Sequence, residues 1–495
     1  MQDEMDNSKV NSIGRRSVLT AIGAGAGAGL AGAMGVSRAE AALLPEPEAR
    51  EEYDVVVIGG GMAGVAAALE AAEAGASVAL LEKASRVGGN SALAGGGFSF
   101  PREDTAEAQE AYIRDHVRIS LERGNTTIFT HMANNIHTDA AWLESHGVEF
   151  LEWRDSPTYA TRNRTVGPQT WLGMLPMLTR LSEAIENAGG TVILETKAQQ
   201  LIMNDQGAVS GVRASGPQGL VDYAARSVVL TTGGYGANTQ MLEAYSDPNA
   251  GALMVRGYRG ATGDGHRMAE AAGAGLKGLG GLMALHIAAV SPESTAAGQP
   301  AGAIPFAVSI NRDGQRFVDE SRGYVAHGKA VLDQPEGLTT LVMDSTIAEI
   351  AAVEGVLGNF ERLGLDIYEA DTLEDLAEQV GLPAEAFATT IGEFNAAIEN
   401  GAAPGASPPK AMLANPVDTP PFYALHPLTP GITLTFGGIM IDENAQALEH
   451  DGRPISGLYA AGEGAGAPFF EDYIGGGALT MCLVMGRIAG RSAAA

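Results

Sequence analysis

Cysteine is almost absent from the sequence, since Cys482 is the only one among 495 residues. No disulfide can form within the chain, and no Cys-x-x-Cys-His motif is present to attach a haem. We expect Cys482 to be a small buried residue in a C-terminal helix. Positive charge is also scarce, because 31 Lys and Arg stand against 59 Asp and Glu and give a formal net charge of −28. Such a chain repels phosphates, so we expect no nucleic-acid partner.

Long apolar runs and short repeats are missing as well. After the N-terminal region no stretch reaches about 18 uninterrupted apolar residues, so we expect no membrane span in the mature protein. The 66 glycines show no three-residue period, which excludes a collagen-like repeat. We interpret them as turns and as places where backbone approaches a ligand. A chain of 495 residues exceeds one ordinary hydrophobic core, which predicts at least two domains.

The N-terminal region has the pattern of an export signal. A pair, Arg15-Arg16, precedes a weakly hydrophobic Ala/Gly-rich run over residues 21–36, and Ala39-Glu40-Ala41 fits a cleavage site. This order resembles a twin-arginine signal over residues 1–42, followed by a linker over 43–52. The alternative is a membrane anchor, which the glycines in the run disfavour. We therefore expect a protein exported to the periplasm or another extracytoplasmic compartment.

A dinucleotide-binding unit follows the linker. Residues 53–58 predict a strand buried on both faces, and they lead into Gly59-Gly60-Gly61-Met62-Ala63-Gly64 and a helix to Ala74. A second strand over 77–81 ends at Glu82, whose carboxylate is suited to the hydroxyls of a ribose. A glycine motif between strand and helix, with an acid eighteen residues further on, indicates a bound dinucleotide. The helix N-terminus offers N–H groups to its phosphates.

Further glycine-rich loops favour a flavin over a nicotinamide. They occupy residues 88–97, the segment 457–463 that ends in Glu463, and Gly475-Gly476-Gly477, which opens the last helix. Together these motifs resemble the fumarate reductase / 3-ketosteroid dehydrogenase flavoprotein family, from about residue 52 to residue 495. The resemblance implies FAD as cofactor and an α/β fold, with a Rossmann-like, glutathione-reductase-type FAD-binding domain and an inserted α+β cap that binds substrate. The FAD-binding domain would comprise residues 53–252 and 420–495, and the cap residues 253–419.

The glycine motifs and the resemblance together give a set of expected FAD contacts. The residues are Gly59, Gly61, Met62, Ala63, Gly64, Glu82, Lys83, Gly89, Asn90, Ser91, Gly96, Gly97, Ala198, Asp264, Glu463, Ala478 and Leu479.

The resemblance also implies where the chemistry takes place. The family's G-x-R-F-x-[ND]-E motif here runs from Gly314 to Glu320. In fumarate reductases the fourth residue after this glutamate is an arginine. Here it is Tyr324, and the second substrate-binding arginine is replaced by Tyr473. Tyrosines at both places are typical of 3-ketosteroid dehydrogenases. By resemblance Tyr324 transfers a proton beside a ketone, while Tyr473 and the backbone N–H of Gly477 donate to the ketone oxygen.

Three further residues are weaker candidates for the site. We expect Tyr159 as an auxiliary tyrosine, and His286 and Thr433 at positions where fumarate reductases bind substrate. No metal site is expected. No cation stands at the mapped carboxylate-binding positions, and this disfavours a dicarboxylate substrate.

The leading hypothesis is an FAD-dependent dehydrogenase that introduces a ring double bond at carbon 1 or 4 of a 3-ketosteroid. Its electrons would pass to an external quinone or cytochrome. The alternative is an exported enone or enoate reductase that uses the same residues in the opposite direction. A third hypothesis, a flavoprotein that only carries electrons, gives no reason for a pair of tyrosines in the cap.

Overall fold

The computed structural model describes residues 45–156, 159–167, 173–280, 285–289 and 298–495. The predicted export signal lies outside the described residues, so it stays a prediction. Within the described residues, no helix combines the length and the apolar character needed to cross a membrane.

The strands are β1 (Ala49–Ile58), β2 (Val78–Leu81), β3 (Gly97–Pro101), β4 (Arg154–Asp155), β5 (Thr161–Thr165), β6 (Thr191–Ile193), β7 (Lys197–Met203), β8 (Val209–Gly216), β9 (Gly219–Leu230), β10 (Met254–Val255), β11 (Leu276–Lys277), β12 (Leu285–Ala289), β13 (Val308–Ile310), β14 (Thr339–Asp344), β15 (Tyr368–Ala370), β16 (Phe422–Ile432), β17 (Gly438–Ile439), β18 (Gln446–Leu448) and β19 (Pro454–Ala460). The α-helices are α1 (Met62–Glu73), α2 (Gly89–Leu93), α3 (Ala106–Ile119), α4 (Thr126–Ser145), α5 (Leu175–Asn187), α6 (Thr239–Tyr245), α7 (Asp264–Ala271), α8 (Tyr324–Leu332), α9 (Ser345–Ala348), α10 (Ala351–Arg362), α11 (Leu373–Val380), α12 (Ala384–Ala396) and α13 (Gly477–Ala494).

A largely parallel sheet forms the core of the FAD-binding part. Its strand order is β18-β19-β9-β1-β2-β6, and β7 and β8 extend it beside β9 as antiparallel strands. The central strands β1, β2, β9 and β19 are parallel neighbours. Val55–Ile58 of β1 and all of β2 are buried, because helices cover one face and the β7–β8 side the other. This α/β arrangement confirms the predicted fold class.

Strand β1 begins earlier than the sequence predicts. The prediction started it at Tyr53 and assigned residues 43–52 to a linker, whereas the strand begins at Ala49. Residues 50–52 are charged, yet residues 49–52 pair with residues 221–224 of the long strand β9. Backbone partners on β9 therefore extend the strand into a segment whose side chains carry no hydrophobic pattern.

The first and last helices of the FAD-binding part pack in close contact. A Cβ on Gly486 of α13 would lie 2.5 Å from the carbonyl oxygen of Ala63, and one on Gly490 would lie 2.2 Å from that of Ala67. The two glycines are four residues apart and share one face of α13, so their backbone rests directly on α1. This contact fixes α13 against the helix that follows the dinucleotide turn.

The cap has a hydrophobic core of its own. Buried residues between Ile287 and Leu428 pack together around a sheet of order β10-β16-β14-β13, in which β12 and β15 also pair with β16. Strand β16 follows the predicted end of the cap at residue 419 but pairs with strands that precede that boundary. The boundaries 253–419 remain a prediction.

Candidate active site

A cavity of about 1150 Å³ opens at the carboxyl ends of the parallel strands. Ile58, Leu81, Thr231 and Gly462 line it, and each ends a central strand or lies within two residues of its end. Ligands of parallel α/β sheets bind at this edge, because the loops and helix N-termini meet there. Every predicted FAD contact except Gly64 lines the cavity, as do Tyr473 and Thr433.

The turn between β1 and α1 has the geometry of a phosphate-binding loop. Gly59 has a φ of +109°, and a Cβ there would lie 2.5 Å from the carbonyl oxygen of Thr231. A Cβ on Gly64 would lie 1.8 Å from the carbonyl oxygen of Gly59, so Gly64 lets the helix pack on the strand instead of touching a ligand. At Gly61 a Cβ would meet nothing closer than 3.7 Å, which leaves room for a pyrophosphate against the backbone.

Glu82 has a structural role in addition to the predicted one. Its two carboxylate oxygens accept the N–H of Gly60 at 2.6 Å and the N–H of Ala84 at 2.8 Å. The acid therefore holds the glycine turn against the end of β2, and its remaining lone pairs face the cavity that a ribose would occupy.

Asp264 begins helix α7 and binds a group of cations. The preceding Gly263 is the N-cap of this helix. The carboxylate of Asp264 accepts from the ammonium of Lys83 at 2.6 Å and pairs with Arg267. Despite burial, Lys83 and its neighbours hold the pKa of Asp264 below its ordinary value, so this carboxylate is charged at neutral pH.

Glu463 lies on the cavity wall among hydrogen-bond donors. It accepts the backbone N–H of Thr435 at 2.8 Å and the side-chain amide of Asn90 at 2.8 Å. Asn90 also donates to the carbonyl of Thr433 at 3.0 Å and accepts the N–H of Tyr258. Burial raises the pKa of Glu463, and these donors oppose the rise. The network joins the loop after β16 to helix α2 around the cavity.

The structure brings together the tyrosines that the sequence singled out. Tyr324, at the start of α8, and Tyr473, just before α13, lie near enough for each side chain to act on the pKa of the other. Burial raises the pKa of both. Besides burial, their interaction raises the pKa of Tyr324 further and lowers that of Tyr473. Tyr159 also raises the pKa of Tyr324, and of the three tyrosines Tyr473 lines the cavity.

Aromatic rings surround Tyr473. Its ring centroid lies 5.7 Å from that of Phe469 and 6.2 Å from that of Phe436. Phe469, Leu434 and Leu479 line the cavity beside it. The wall near Tyr473 is therefore aromatic and apolar.

A turn over residues 470–473 connects the tyrosine pair to the cap. The ammonium of Lys329, on the same helix as Tyr324, donates to the carbonyl of Glu471 at 2.7 Å and pairs with the Glu471 carboxylate. The next residue, Asp472, accepts the backbone N–H of Tyr473 at 2.7 Å. The helix that begins at Tyr324 thus binds this turn through Lys329.

The three remaining predicted site residues are Gly477, His286 and Thr433, and the side chain of one of them lies outside the described residues. The N–H of Gly477 donates to the carbonyl of Ile474 at 2.9 Å, and Gly476 rather than Gly477 lines the cavity. Because that N–H already closes the first turn of α13, we do not retain it as a donor to substrate. His286 pairs with Gly431 across β12 and β16, and its side chain lies outside the described residues. Thr433 lines the cavity, and its carbonyl oxygen accepts a hydrogen bond from the side-chain amide of Asn90.

Sequence reasoning missed several residues of the cavity wall. Thr231 and Thr232 directly follow β9, whose apolar end Val228-Val229-Leu230 is a signal that the sequence does contain. Arg256 gave no signal, since it lies in an irregular segment after the two-residue strand β10. Its side chain is buried and lines the cavity, and burial lowers its pKa to about 10. It is still a cation at neutral pH.

Comparison with known proteins agrees with this geometry. The family model described as an FAD binding domain matches residues 54–478. The chain belongs to this family of FAD-dependent oxidoreductases. FAD is therefore the cofactor, and the open space at Gly61, the left-handed turn at Gly59 and the oxygen acceptors Glu82 and Glu463 fit its pyrophosphate and its two sets of hydroxyls.

Individual relatives belong to both branches of the family. The chain is 30% identical to an NADH:acrylate oxidoreductase from Vibrio harveyi over 92% of its own length, but it spans about half (51%) of that protein. An open flavocytochrome c3 fumarate reductase superposes with a TM-score of 0.75 at 29% identity, covering 93% of this chain and 80% of that one. A 3-ketosteroid Δ4-(5α)-dehydrogenase from Rhodococcus jostii, solved with 4-androstene-3,17-dione, gives a TM-score of 0.70 at 26% identity and covers 92% and 99%.

Proposed function

We propose that the protein removes two hydrogens from the CH–CH bond next to the ketone of a 3-ketosteroid, or of a cyclic ketone of similar size, at carbon 1 or 4. The observation that carries the proposal is Tyr473 on an apolar, aromatic wall of the FAD cavity, with Tyr324 near enough to act on its pKa. FAD, when bound, accepts hydride from such a bond.

The two tyrosines divide the remaining work. Tyr473 lines the cavity, and its hydroxyl can donate to a ketone oxygen, the acceptor that this chemistry needs. Tyr473 then stabilises the enolate charge that develops as the neighbouring carbon loses its proton. Tyr324 is the group that takes that proton, once its own hydroxyl proton has left.

The proposal is tested with holoenzyme and a panel of saturated 3-ketosteroids under anaerobic conditions. Tyr324→Phe should keep its FAD and lose ketone-dependent flavin bleaching by about 10²–10⁴-fold, the usual contribution of a proton-transferring group. Tyr423→Phe changes a tyrosine of the cap strand β16, away from the cavity lining, and should behave as wild type. Unchanged turnover in Tyr324→Phe contradicts the assigned role.

Arg256 supports a second candidate, an enoate reductase with the same cofactor. The sequence offered no cation at the mapped carboxylate-binding positions, but the structure places a buried guanidinium on the cavity wall. A planar guanidinium with five N–H donors is suited to a carboxylate in addition to any protein partner. A Cβ on Gly431 would lie 2.3 Å from the Cγ and Cδ atoms of Arg256, so the side chain lies flat on this glycine.

The two candidates differ in the substrate's charge and in the direction of electron flow. In the reductase, dithionite-reduced enzyme is reoxidised by an unsaturated carboxylate, and Arg256→Met weakens this reaction while Arg259→Met, three residues away and exposed, does not. In the dehydrogenase, neutral ketones bleach the flavin and Arg256→Met leaves their affinity unchanged. We further propose that the protein acts after export and exchanges electrons with an external quinone or cytochrome.

A further inference from the structure

Within the part of the chain that the structure describes, the cations that line the cavity are Lys83, Lys197, Arg256 and Arg362. The ammonium groups of Lys83 and Lys197 pair with the carboxylate of Asp264 at 2.6 and 3.7 Å. Arg362 ends the cap helix α10 and is exposed to solvent. Arg256 is only 9% exposed. It is therefore the cation that can meet a bound molecule away from water.

Contacts with the backbone hold Arg256 at its position. Its N–H donates to the carbonyl of Ile432 at 2.9 Å, and its Cγ and Cδ atoms lie 2.3 Å from the place that a Cβ on Gly431 would occupy. Two residues further on, the N–H of Tyr258 donates to the side-chain carbonyl of Asn90, which also lines the cavity. The side chain of Arg256 thus extends from a fixed backbone segment of the cavity wall.

A short stretch of chain connects Arg256 to Tyr473. Ile432, whose carbonyl accepts from Arg256, precedes Phe436 by four residues. The ring of Phe436 lies 6.2 Å from that of Tyr473. Four residues span at most about 14 Å even when the chain is fully extended. The residues between them, 433–435, all line the cavity, so one substrate molecule can contact both ends of this stretch.

The two ends suit different functional groups. The hydroxyl of Tyr473, among aromatic rings, suits the oxygen of a neutral ketone. The guanidinium of Arg256 suits a carboxylate, because its planar donors match the two carboxylate oxygens. The attraction between the two charges is also stronger in buried surroundings than in water.

We infer that the substrate is a cyclic keto acid, whose ketone binds at Tyr473 and whose carboxylate binds at Arg256. This inference rests on the proposed function, since it takes the ketone chemistry as given. It assigns the tyrosine and the buried cation, which support different candidates above, to opposite ends of one substrate. The carboxylate takes no part in the removal of hydrogen. It orients the ring and selects anionic ketones over neutral ones.

The experiment compares keto acids with their neutral methyl esters. Equilibrium dialysis at neutral pH uses holoenzyme with its FAD held reduced by dithionite, so that no hydride is transferred. The ligands are 3-oxo-5α-androstane-17β-carboxylic acid, 4-oxocyclohexanecarboxylic acid and the two esters. For at least one ring size the acid should bind wild type about 10–100-fold more tightly than its ester.

Two variants locate the carboxylate. Arg256→Met keeps an unbranched side chain on Gly431 and should abolish the difference between acid and ester, with the ester bound as in wild type. Arg362→Met, which removes the exposed cation of the same cavity, should keep the difference. FAD content confirms that each variant is folded.

A third ligand tests whether one molecule uses both ends. 5α-Androstane-17β-carboxylic acid, which lacks the ketone, should bind wild type more weakly than the keto acid of the same ring system.

Equal affinities of acid and ester for both ring sizes in wild type overturn the inference. So does a difference that persists in Arg256→Met, or a ketone that adds nothing to the affinity of the acid. Failure of the proposed function is a separate result, in which none of the ketones bleaches the oxidised flavin. The dialysis then still decides whether Arg256 binds a carboxylate.

Discussion

The dinucleotide turn can be tested at a single atom, by adding one methyl group to Gly64. A Cβ at this position would lie 1.8 Å from the carbonyl oxygen of Gly59 and 2.6 Å from the hydroxyl oxygen of Thr231, whereas real Cβ contacts shorter than 3.0 Å are essentially never seen. The hydroxyl can rotate away, but the carbonyl belongs to the backbone of the phosphate-binding turn. In Gly64→Ala either α1 or the turn must therefore move.

The cost follows from what has to move. Inserting a methyl group into a packed core costs about 1–3 kcal/mol when side chains adjust, and here backbone must adjust, which places the loss at the upper end. Gly355 is the matched control, because it is also a helical glycine and a Cβ there would meet nothing within 4 Å. Gly355→Ala should stabilise the protein by up to about 1 kcal/mol through helix propensity.

Two measurements on purified protein decide the matter. The FAD content, obtained from the ratio of flavin to protein absorbance, should fall well below one FAD per chain in Gly64→Ala and stay at the wild-type value in Gly355→Ala. In urea unfolding, Gly64→Ala should be less stable than wild type and Gly355→Ala should be more stable. A Gly64→Ala protein with full FAD content and wild-type stability would refute the described packing of α1 on the turn.

Three further outcomes follow from the described contacts. Burial raises the pKa of Asp472 to about 6 in the folded protein from its ordinary 3.8. The native state therefore binds more protons than the unfolded state between these values, and the protein loses stability as pH rises through them. In urea unfolding between pH 4 and pH 8, the free energy of unfolding of Asp472→Asn should exceed that of wild type by up to about 3 kcal/mol. Lys329→Met should reduce turnover without FAD loss, because it releases the helix that carries Tyr324 from the Glu471 carbonyl, and stopped-flow flavin bleaching measures this. Glu463→Gln should bind FAD about tenfold more weakly in equilibrium dialysis, because the amide cannot accept from both Asn90 and Thr435.

Much of the FAD-binding part could be predicted from the sequence, because its signals are local. The glycines from Gly59 to Gly64 stand between an apolar strand and an Ala-rich helix, and the structure forms those elements within a few residues of the prediction. Tyr324 and Tyr473 came from the family resemblance and not from any spacing, since 149 positions separate them in the chain and only the cap brings them together.

The remaining site residues could not be found in this way. Arg256 has no neighbouring pattern, and its position depends on the pairing of β10 with β16 and on the missing side chain of Gly431. The N–H of Gly477 looks available in the sequence, but its partner depends on how the first turn of α13 closes. In the sequence Asp472 looks like an ordinary turn residue, because its effect on the pKa of three tyrosines depends on how the chain folds.

The proposed dehydrogenation is tested most directly by anaerobic titration of the oxidised holoenzyme with saturated 3-ketosteroids, one at a time, while the flavin absorbance is recorded. A ketone of this class should bleach the flavin and be recovered with a new double bond at carbon 1 or 4. If no ketone bleaches the flavin, while an unsaturated carboxylate reoxidises the dithionite-reduced enzyme, the dehydrogenase proposal is contradicted and Arg256 becomes the residue that defines the substrate.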